Sequence, residues 1–212
     1  MKSIVFCDFD GTITAVETFA GMLKEFAPEL SARLMPRMYD RSLTLREGVR
    51  QLLESILAKQ YDDILAYAEN KPIREGLPEL LDLLQERSIP FVILSGGLRD
   101  MVETVLKRHN LLEKVTAIYA VEIDRAGEYL QVRSDFEDGT ELVAKARIME
   151  RYPGYFPIAI GDSVTDITMA RRASIVFARD RLIDYLKAEN KPYIEWENFF
   201  DIRRQLIDIE EN

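Results

Sequence analysis

Acidic, hydroxyl and glycine residues stand directly after three short apolar runs of this 212-residue chain. The runs cover residues 4–7, 91–94 and 158–160, and they are followed by DFDGT (residues 8–12), SGG (95–97) and GDSVTD (161–166). Such runs are typical of buried strands, and the carboxyl ends of parallel strands share one edge of a sheet. We therefore expect four carboxylates, a serine hydroxyl and a Gly-Gly turn to converge at that edge.

Crowded carboxylates indicate a metal site, because they repel one another and a hard divalent cation makes the crowd stable near neutral pH. Magnesium prefers a few carboxylates, waters and phosphate oxygens as ligands. The chain has one histidine, His109, and one cysteine, Cys7, which is too few for an ordinary zinc or iron site. The cation would also offset the repulsion between this acidic cluster and a phosphate group. The sequence therefore predicts a magnesium site that takes a phosphorylated substrate.

Ser95, Gly96, Gly97 and Lys145 are the residues predicted to bind a phosphoryl group. The serine hydroxyl and the backbone N–H groups of the two glycines can donate hydrogen bonds to phosphoryl oxygens, since we expect a helix to open directly after them. Lys145, at the start of a helix predicted over residues 142–152, can add positive charge near the site.

Asp8 and Asp10 offer two separate catalytic roles. Alternate residues of a strand point to opposite sides, so these two carboxylates can point the same way while Phe9 points elsewhere. Aspartate is a covalent nucleophile toward phosphoryl groups in some enzymes. A second carboxyl group can protonate the leaving alkoxide and then deprotonate the attacking water. One of the pair can therefore attack while the other moves a proton.

Strands alternate with helices along most of the chain, which predicts an α/β fold. A fourth apolar run covers residues 175–178, and helical spacing recurs between the runs, as at Leu77, Leu80, Leu81 and Leu84. This alternation is typical of a doubly wound parallel sheet, Rossmann-like, with helices on both faces.

Residues 15–75 interrupt the alternation. They hold no clear strand, and Met, Phe, Leu and Tyr recur through them at helical spacing. So long an insertion after the first strand predicts a small helical cap domain on a core domain of residues 1–14 and 76–212. Residues 117–139 are a second irregularity, in which apolar residues alternate on both sides of an Ala-Gly pair and predict a hairpin or flap.

Composition and charge limit the classes of function. The 47% hydrophobic and 31% charged side chains indicate neither a disordered nor a membrane protein, and no apolar stretch approaches the length of a membrane span. The net charge of −9 repels nucleic acid and anionic membrane surfaces, so we expect neither as a partner. A single cysteine and an N-terminus without a signal-peptide pattern predict a cytoplasmic protein.

Together the motifs resemble a known enzyme family. IVFCDFDGTIT, VILSGG, Lys145 and IGDSVTD, in this order and with a helical insertion after the first, resemble the four motifs of the haloacid dehalogenase superfamily of phosphatases. The resemblance spans residues 4–178. It implies that the protein hydrolyses a small phosphorylated metabolite through an aspartyl-phosphate intermediate, with magnesium as the cofactor.

The resemblance also implies a role for each motif residue. Asp8 would be the nucleophile, and Asp10 the general acid and base. Magnesium would be held by the Asp8 carboxylate, the backbone carbonyl of Asp10 and the Asp162 carboxylate, with Asp166 in support. The phosphate-binding residues would be Thr12, which also supports the loop, Ser95, Gly96, Gly97 and Lys145.

The position of the cap and the SGG motif resemble the phosphoserine phosphatase branch of the superfamily. Glu17, nine residues after Asp8, falls where those enzymes keep a substrate-contacting glutamate. Leu52, however, stands where they carry a cap arginine that is expected to meet the substrate carboxylate, and GDSVTD replaces their GDGxND. These departures favour a substrate without a carboxylate over phosphoserine.

A closer resemblance is to the methionine-salvage phosphatases that act on 2-hydroxy-3-keto-5-methylthiopentenyl-1-phosphate. The shared segments are CDFDGTIT, FAPE, LTLREGV, KPIREG, IPFVILSGG, IGDSVTD and FARDRL. Residues 117–140 depart from the pattern, because they lack the cysteines that such enzymes carry there. We expect Glu17, Phe19, Met22 and Leu52 on the inner face of the cap, where they would contact the non-phosphate part of the substrate.

Other functions and states stay open from the sequence. A phosphoserine phosphatase or another small-metabolite phosphatase would use the same motifs. A phosphoacceptor signalling module shares the acidic cluster and the lysine, but it has no cap. A hydrolytic dehalogenase needs no metal, and a catalytically silent phosphate-binding protein would not need Asp10. A homodimer is also compatible with the sequence.

Overall fold

The computed structural model describes residues 2–211, and the side chains of residues 2–208. Residues 1 and 212 of the predicted core domain lie outside the described residues. The strands are β1 (Lys2–Cys7), β2 (Phe91–Leu98), β3 (Ala117–Asp124), β4 (Gln131–Arg133), β5 (Tyr155–Gly161), β6 (Ile175–Ala178) and β7 (Ile194–Glu195). The α-helices are α1 (Thr18–Phe26), α2 (Pro28–Tyr39), α3 (Leu45–Leu53), α4 (Tyr61–Glu69), α5 (Leu77–Glu86), α6 (Arg99–Arg108), α7 (Lys145–Met149), α8 (Ile167–Arg172), α9 (Asp180–Ala188) and α10 (Phe199–Glu211). Among the described residues no helix has the length and apolar character to cross a membrane.

The seven strands form one sheet in the order β4-β3-β2-β1-β5-β6-β7. Neighbouring strands are parallel except β3 and β4, which are antiparallel. The chain moves from β1 to β3 on one side and from β5 to β7 on the other, so its direction reverses between β1 and β5. Right-handed crossovers in these two directions place helices on opposite faces of the sheet. The predicted α/β doubly wound sheet is confirmed.

Strand β1 lies in the middle of this sheet because its side chains are apolar on both faces. Its residues from Ile4 to Cys7 are completely buried, and Val5 pairs with Phe91 of β2 and with Ile158 of β5. A strand covered on both faces requires such a continuous apolar run. Each of the four apolar runs predicted as strands lies within an observed strand.

Helices α1 to α4 fill the insertion after β1, and no strand of the described residues lies between residues 15 and 75. The two connections between this insertion and the sheet pair with each other. The backbone N–H of Ala15 donates to the carbonyl of Pro72 at 2.9 Å, and the N–H of Arg74 donates to the carbonyl of Ile13 at 2.8 Å. The division of the chain into a cap and a core at these edges stays a prediction.

The predicted hairpin over residues 117–139 is confirmed in β3 and β4, although β3 is also a full strand of the central sheet beside β2. The hairpin contacts the helical insertion. Arg50 of α3 donates a hydrogen bond to the carbonyl of Val132 at 3.1 Å and forms an ion pair with Glu137 at 2.7 Å. The segment therefore connects the sheet to the inserted helices.

Two predicted features differ in the structure. Strand β2 continues through residues 95–97, so the two glycines lie in the strand and not in a turn after it. Helix α6 begins at Arg99, directly after this strand, as expected. The helix predicted over residues 142–152 is only five residues long, because residues 136–144 form a turn that the N–H of Ala144 closes on the carbonyl of Phe136 at 2.9 Å. In that turn the Asp138 carboxylate accepts hydrogen bonds from the N–H groups of Thr140 and Glu141.

Gly76 and Gly154 allow a test of how the last helix is held. Both have left-handed backbones, with φ of +82° and +83°. A Cβ on Gly76 would lie 2.6 Å from the backbone nitrogen of Phe200 in α10, whereas one on Gly154 would meet nothing within 4 Å. We predict that Gly154→Ala lowers the free energy of unfolding by about 1 kcal/mol through backbone strain alone. Gly76→Ala should lower it by about 3 kcal/mol, because the clash adds to the strain. Urea denaturation measures both, and equal losses would contradict the prediction.

Candidate active site

The carboxylate of Asp8 lies at the carboxyl end of the central strand β1. Its backbone N–H donates to the carbonyl of Ile160 at 2.9 Å, which extends the pairing of β1 with β5 by one residue. The residue is only 4% exposed. Because the chain direction reverses between β1 and β5, Asp8 lies at the switch point where open parallel sheets form their ligand crevice.

Lys145, the first residue of α7, is 1% exposed and contacts two carboxylates. Its Nζ forms ion pairs with Asp8 and, at 2.6 Å, with Asp166. The other oxygen of Asp166 accepts hydrogen bonds from the backbone N–H groups of Asp162 at 2.9 Å and Ser163 at 3.1 Å. Both oxygens of Asp166 are therefore occupied, and this side chain holds the lysine and the turn after β5 in place.

Asp162 faces the turn that contains Asp8. One oxygen of its carboxylate accepts a hydrogen bond from the hydroxyl of Thr12 at 2.8 Å. Among the residues whose side chains are described, none donates a hydrogen bond to Oδ2 of Asp8 or to Oδ2 of Asp162. Each of these two carboxylates therefore has one oxygen that can bind a ligand.

The chemistry of this donor set fits a hard divalent cation. Carboxylate oxygens of Asp8, Asp162 and Asp166 lie within 4.8 Å of one another. Burial raises the pKa of both Asp8 and Asp162, and the negative charge of the neighbouring carboxylates raises it further. Burial alone would lower the pKa of Lys145, but Asp166 and Asp8 raise it above its usual value. One lysine cannot balance three buried carboxylates, so a cation with oxygen ligands would stabilise their ionised forms.

Asp10 connects the sheet to the inserted helices. One oxygen of its carboxylate accepts hydrogen bonds from the backbone N–H groups of Thr18 and, at 2.8 Å, of Phe19, which are the first residues of α1. The N–H groups at a helix N-terminus lack partners within the helix and stabilise negative charge there. Burial raises the pKa of Asp10 to about 6, and these hydrogen bonds oppose the shift. The carboxyl group of Asp10 therefore ties the first helix of the insertion to the turn after β1.

A cavity of about 780 Å³ opens where the strand ends face the inserted helices. The predicted site residues that line it are Asp8, Asp10, Glu17, Phe19, Gly96, Gly97, Lys145 and Asp162. Ser95 does not line this cavity, since it faces a much smaller one, and its hydroxyl accepts a hydrogen bond from the N–H of Gly97 at 3.1 Å. Thr12 and Asp166 lie behind the lining residues, where they contact Asp162.

Met22 and Leu52 are not brought to the cavity, contrary to expectation. Both are completely buried in the hydrophobic core. Met22 lies about 60° around α1 from Phe19, on the side away from the lining residue Ala20. Leu52 lies almost one turn beyond the lining residue Val49 along α3. Their contribution is therefore to packing.

The sequence prediction missed several lining residues that are polar. Arg74 donates hydrogen bonds to the carbonyls of Gly11 at 2.7 Å and Thr12 at 3.1 Å, and so holds the turn after β1. Arg179 also lines the cavity. Glu141 lines it as well, and burial raises its pKa to about 7. Arg74 and Arg179 lie within KPIREG and FARDRL, so membership of these shared segments is the signal that could have found them.

Two cation–π contacts connect the end of α2 with α9 beside the cavity. The guanidinium of Arg181 lies 5.0 Å from the ring centre of Tyr39, and that of Arg41 lies 5.1 Å from the ring centre of Tyr185. Tyr39, Arg181 and Tyr185 all line the cavity. Such contacts stabilise by about 0.5–1 kcal/mol each at exposed positions. They hold the inserted helices against the sheet domain in this arrangement.

Comparison with known proteins agrees with this geometry. The family model of haloacid dehalogenase-like hydrolases matches residues 5–171. The chain is 72% identical to a 2-hydroxy-3-keto-5-methylthiopentenyl-1-phosphate phosphatase of Microcystis aeruginosa over 98% of this chain and 99% of that protein. It is 31% identical to the phosphatase of the same name in Bacillus cytotoxicus, over 97% of this chain and 96% of that protein.

A solved structure with the same fold is a phosphoserine phosphatase captured as a phospho-aspartyl intermediate analogue. It superposes with a TM-score of 0.73 at 20% identity and covers 96% of this chain and 98% of its own. At this identity the likeness shows the fold alone. The sequence matches show the family as well as the fold, and they exclude the phosphoacceptor signalling module. The chain belongs to the haloacid dehalogenase-like hydrolase family, as an enzyme of its phosphatase type.

Proposed function

We propose that this protein hydrolyses 2-hydroxy-3-keto-5-methylthiopentenyl-1-phosphate through an aspartyl-phosphate on Asp8. The observation that carries the chemistry is the buried cluster at the switch point of the sheet, in which Lys145 pairs with Asp8 and Asp166 beside the cavity. The substrate is inferred from the relatives of that name, of which the Microcystis aeruginosa protein is 72% identical over nearly the whole chain.

We infer that the cation of this site is magnesium, held by Oδ2 of Asp8, Oδ2 of Asp162 and the backbone carbonyl of Asp10. All three ligands are hard oxygens, and the cavity beside them leaves room for waters and a phosphate oxygen. When bound, the cation supplies positive charge that attracts the phosphoryl group and stabilises the charge that develops on it. Asp166 supports this set, since its own oxygens bind Lys145 and two backbone N–H groups.

In the first step an oxygen of Asp8 forms a bond to phosphorus while the bond from phosphorus to the substrate oxygen breaks. Asp10 donates a proton to that leaving oxygen. In the second step Asp10 accepts a proton from water, whose oxygen attacks the phosphorus and releases phosphate from Asp8. Both carboxyl groups line the same cavity, as these steps require. Both steps require a group that carries a proton, whereas a protein that only binds phosphate requires none.

The remaining motif residues bind the phosphoryl group or hold those that do. Lys145 and the backbone N–H of Gly96 are proposed to contact phosphoryl oxygens, since both residues line the cavity. Gly97 lines the same cavity, although its N–H is bonded to Ser95. Ser95 and Thr12 are proposed to act from behind, since neither side chain lines the main cavity.

The helices between residues 15 and 75 are proposed to form a cap that recognises the non-phosphate part of the substrate, while residues 1–14 and 76–212 carry the chemistry. The paired connections at Ala15 and Arg74 support this division, because they meet beside the turn after β1. Glu17 and Phe19 are the proposed cap contacts, since both line the cavity. A cytoplasmic location and a homodimer stay predictions.

We predict that Asp8→Asn lowers kcat by at least about a thousandfold, because an amide cannot form the acyl phosphate. Asp10→Asn should lower kcat by about a hundredfold or more and slow both steps, since proton transfer is lost in each. Acid quenching followed by identification of the phosphorylated peptide distinguishes the two variants. Melting temperatures close to that of the wild type serve as the control for folding. A phosphorylated residue other than Asp8 would contradict the assignment.

We predict that activity requires magnesium and that calcium inhibits it, because calcium takes more ligands in looser geometry and misaligns the attack. Calorimetric titration with magnesium should show an affinity lower by about a hundredfold or more in Asp162→Ala and by about tenfold in Asp166→Ala. The difference follows from one residue being a ligand and the other its support. Full activity in excess chelator, or equal affinities in both variants and the wild type, would overturn the metal assignment.

We predict that kcat/KM is at least about a hundredfold higher for the methylthiopentenyl phosphate than for phosphoserine. Among the cavity-lining residues of α1, α2 and α3 there is no Lys or Arg, and the lining arginines Arg74, Arg179 and Arg181 all lie outside these helices. A substrate carboxylate set among the apolar side chains of the three helices would therefore lack a partner there. Phosphate release assayed in parallel with both compounds measures the ratio. A preference for phosphoserine would contradict the proposed substrate and leave the aspartate chemistry intact.

A further inference from the structure

Five apolar side chains from three helices line one part of the cavity, and we call this group the cap pocket. Its members are Leu23 of α1, Met35 and Met38 of α2, and Leu45 and Val49 of α3. Leu23, Met35 and Met38 are buried, at 2%, 6% and 5% exposure. Leu45 and Val49 are partly buried and pack against the same core.

The cap pocket is apolar, whereas the opposite part of the cavity is charged. Asp8, Lys145 and Asp162 line the cavity from the ends of β1 and β5 and from α7. On α1 and α2 the polar lining residues stand only at the helix ends, as Glu17 before α1 and Tyr39 at the end of α2. The cavity therefore fits a ligand with a charged group at one end and an apolar group at the other.

Met38 has a defined place in the cap pocket. A Cβ on Gly48 of α3 would collide with Sδ of Met38 and lie 2.6 Å from its Cγ. The Met38 side chain therefore packs directly against the backbone of α3, which only a glycine at position 48 permits. Unbranched, polarisable methionine side chains fit irregular apolar groups well.

We propose that the cap pocket binds the methylthio end of the substrate, an inference that rests on the proposed function. In 2-hydroxy-3-keto-5-methylthiopentenyl-1-phosphate the phosphate and the methylthio group stand at opposite ends of a five-carbon chain. A phosphate placed at Asp8 therefore leaves the methylthio group to reach toward the inserted helices. A thioether has no hydrogen-bond donor and only a weak acceptor, so burying it among Met35 and Met38 removes apolar area from water at little polar cost.

The experiment compares two enol phosphates and a probe without a tail. The first is the proposed substrate, and the second is the same compound with hydrogen in place of the methylthio group. Acetyl phosphate reports the aspartate chemistry alone. The wild type should show kcat/KM about 10–100-fold higher for the first compound than for the second, since a buried apolar group of this size confers a discrimination of that order.

Two variants add polarity to the cap pocket at similar side-chain volume, Met38→Gln and Val49→Thr. Each should lower the ratio of kcat/KM between the two enol phosphates by about fivefold or more. Turnover of the compound without the methylthio group, and of acetyl phosphate, should change by less than about twofold, because neither reaches the pocket. Met38→Leu should keep the ratio, since it preserves volume and polarity. Val115→Thr is the matched control, at a partly buried valine outside the cavity.

The outcomes separate this inference from the function on which it rests. Good turnover of both enol phosphates at equal kcat/KM, or an unchanged ratio in both cap-pocket variants, would overturn the cap pocket as the methylthio site alone. Turnover of acetyl phosphate without turnover of either enol phosphate would overturn the proposed substrate and the inference together. Melting temperatures show whether each variant is folded. Because the two variants lie on different helices, the test does not depend on a single position.

Discussion

The ion pairs of Lys145 with Asp8 and Asp166 are the contacts on which the site depends. Three carboxylates are buried at the carboxyl edge of the sheet, and burial together with the neighbouring negative charge raises the pKa of Asp8 and Asp162. Removing one partner from a buried ion pair leaves an uncompensated charge, which costs about 3–5 kcal/mol. Lys145 therefore holds Asp8 and Asp166 in place. The free oxygens, Oδ2 of Asp8 and Oδ2 of Asp162, define where a metal cation can bind.

The turn after β1 also attaches the inserted helices to the sheet. Asp10 accepts hydrogen bonds from the first N–H groups of α1, while Arg74, at the other end of the insertion, binds the carbonyls of Gly11 and Thr12. Both ends of the insertion are thus attached to the segment that carries Asp8, the proposed nucleophile. A displacement of the helices would disturb Asp10, the proposed proton carrier, so the proposed substrate recognition and chemistry are mechanically connected.

The cavity has two kinds of lining, one at the ends of the strands and one on helices α1 to α3. The strand ends supply charge and hydrogen-bond donors, which any phosphomonoester requires. Helices α1 to α3 supply apolar side chains, which we propose distinguish one substrate body from another. The phosphoserine phosphatase structure shares the fold at 20% identity, and in this chain the cavity lining from α1, α2 and α3 carries no Lys or Arg. The pairs of Arg181 with Tyr39 and Arg41 with Tyr185 hold the two walls together.

The amino-acid sequence was enough to predict the sheet and the edge at which the candidate site lies, because parallel strands are continuous apolar runs and their carboxyl ends share one edge. Asp8 and Asp162 were predictable for that reason, whereas Lys145 begins a helix and was predicted from that position and from the motif resemblance. The structure brings all three together. Which apolar helix residues line the cavity depended on how the helices pack in three dimensions: Met22 and Met38 have the same chemistry and both are buried, but of the two only Met38 lines the cavity. The positions of Ser95 and Arg74 were likewise decided in three dimensions, since the contacts of each depend on how strands and linkers pair and not on any local pattern.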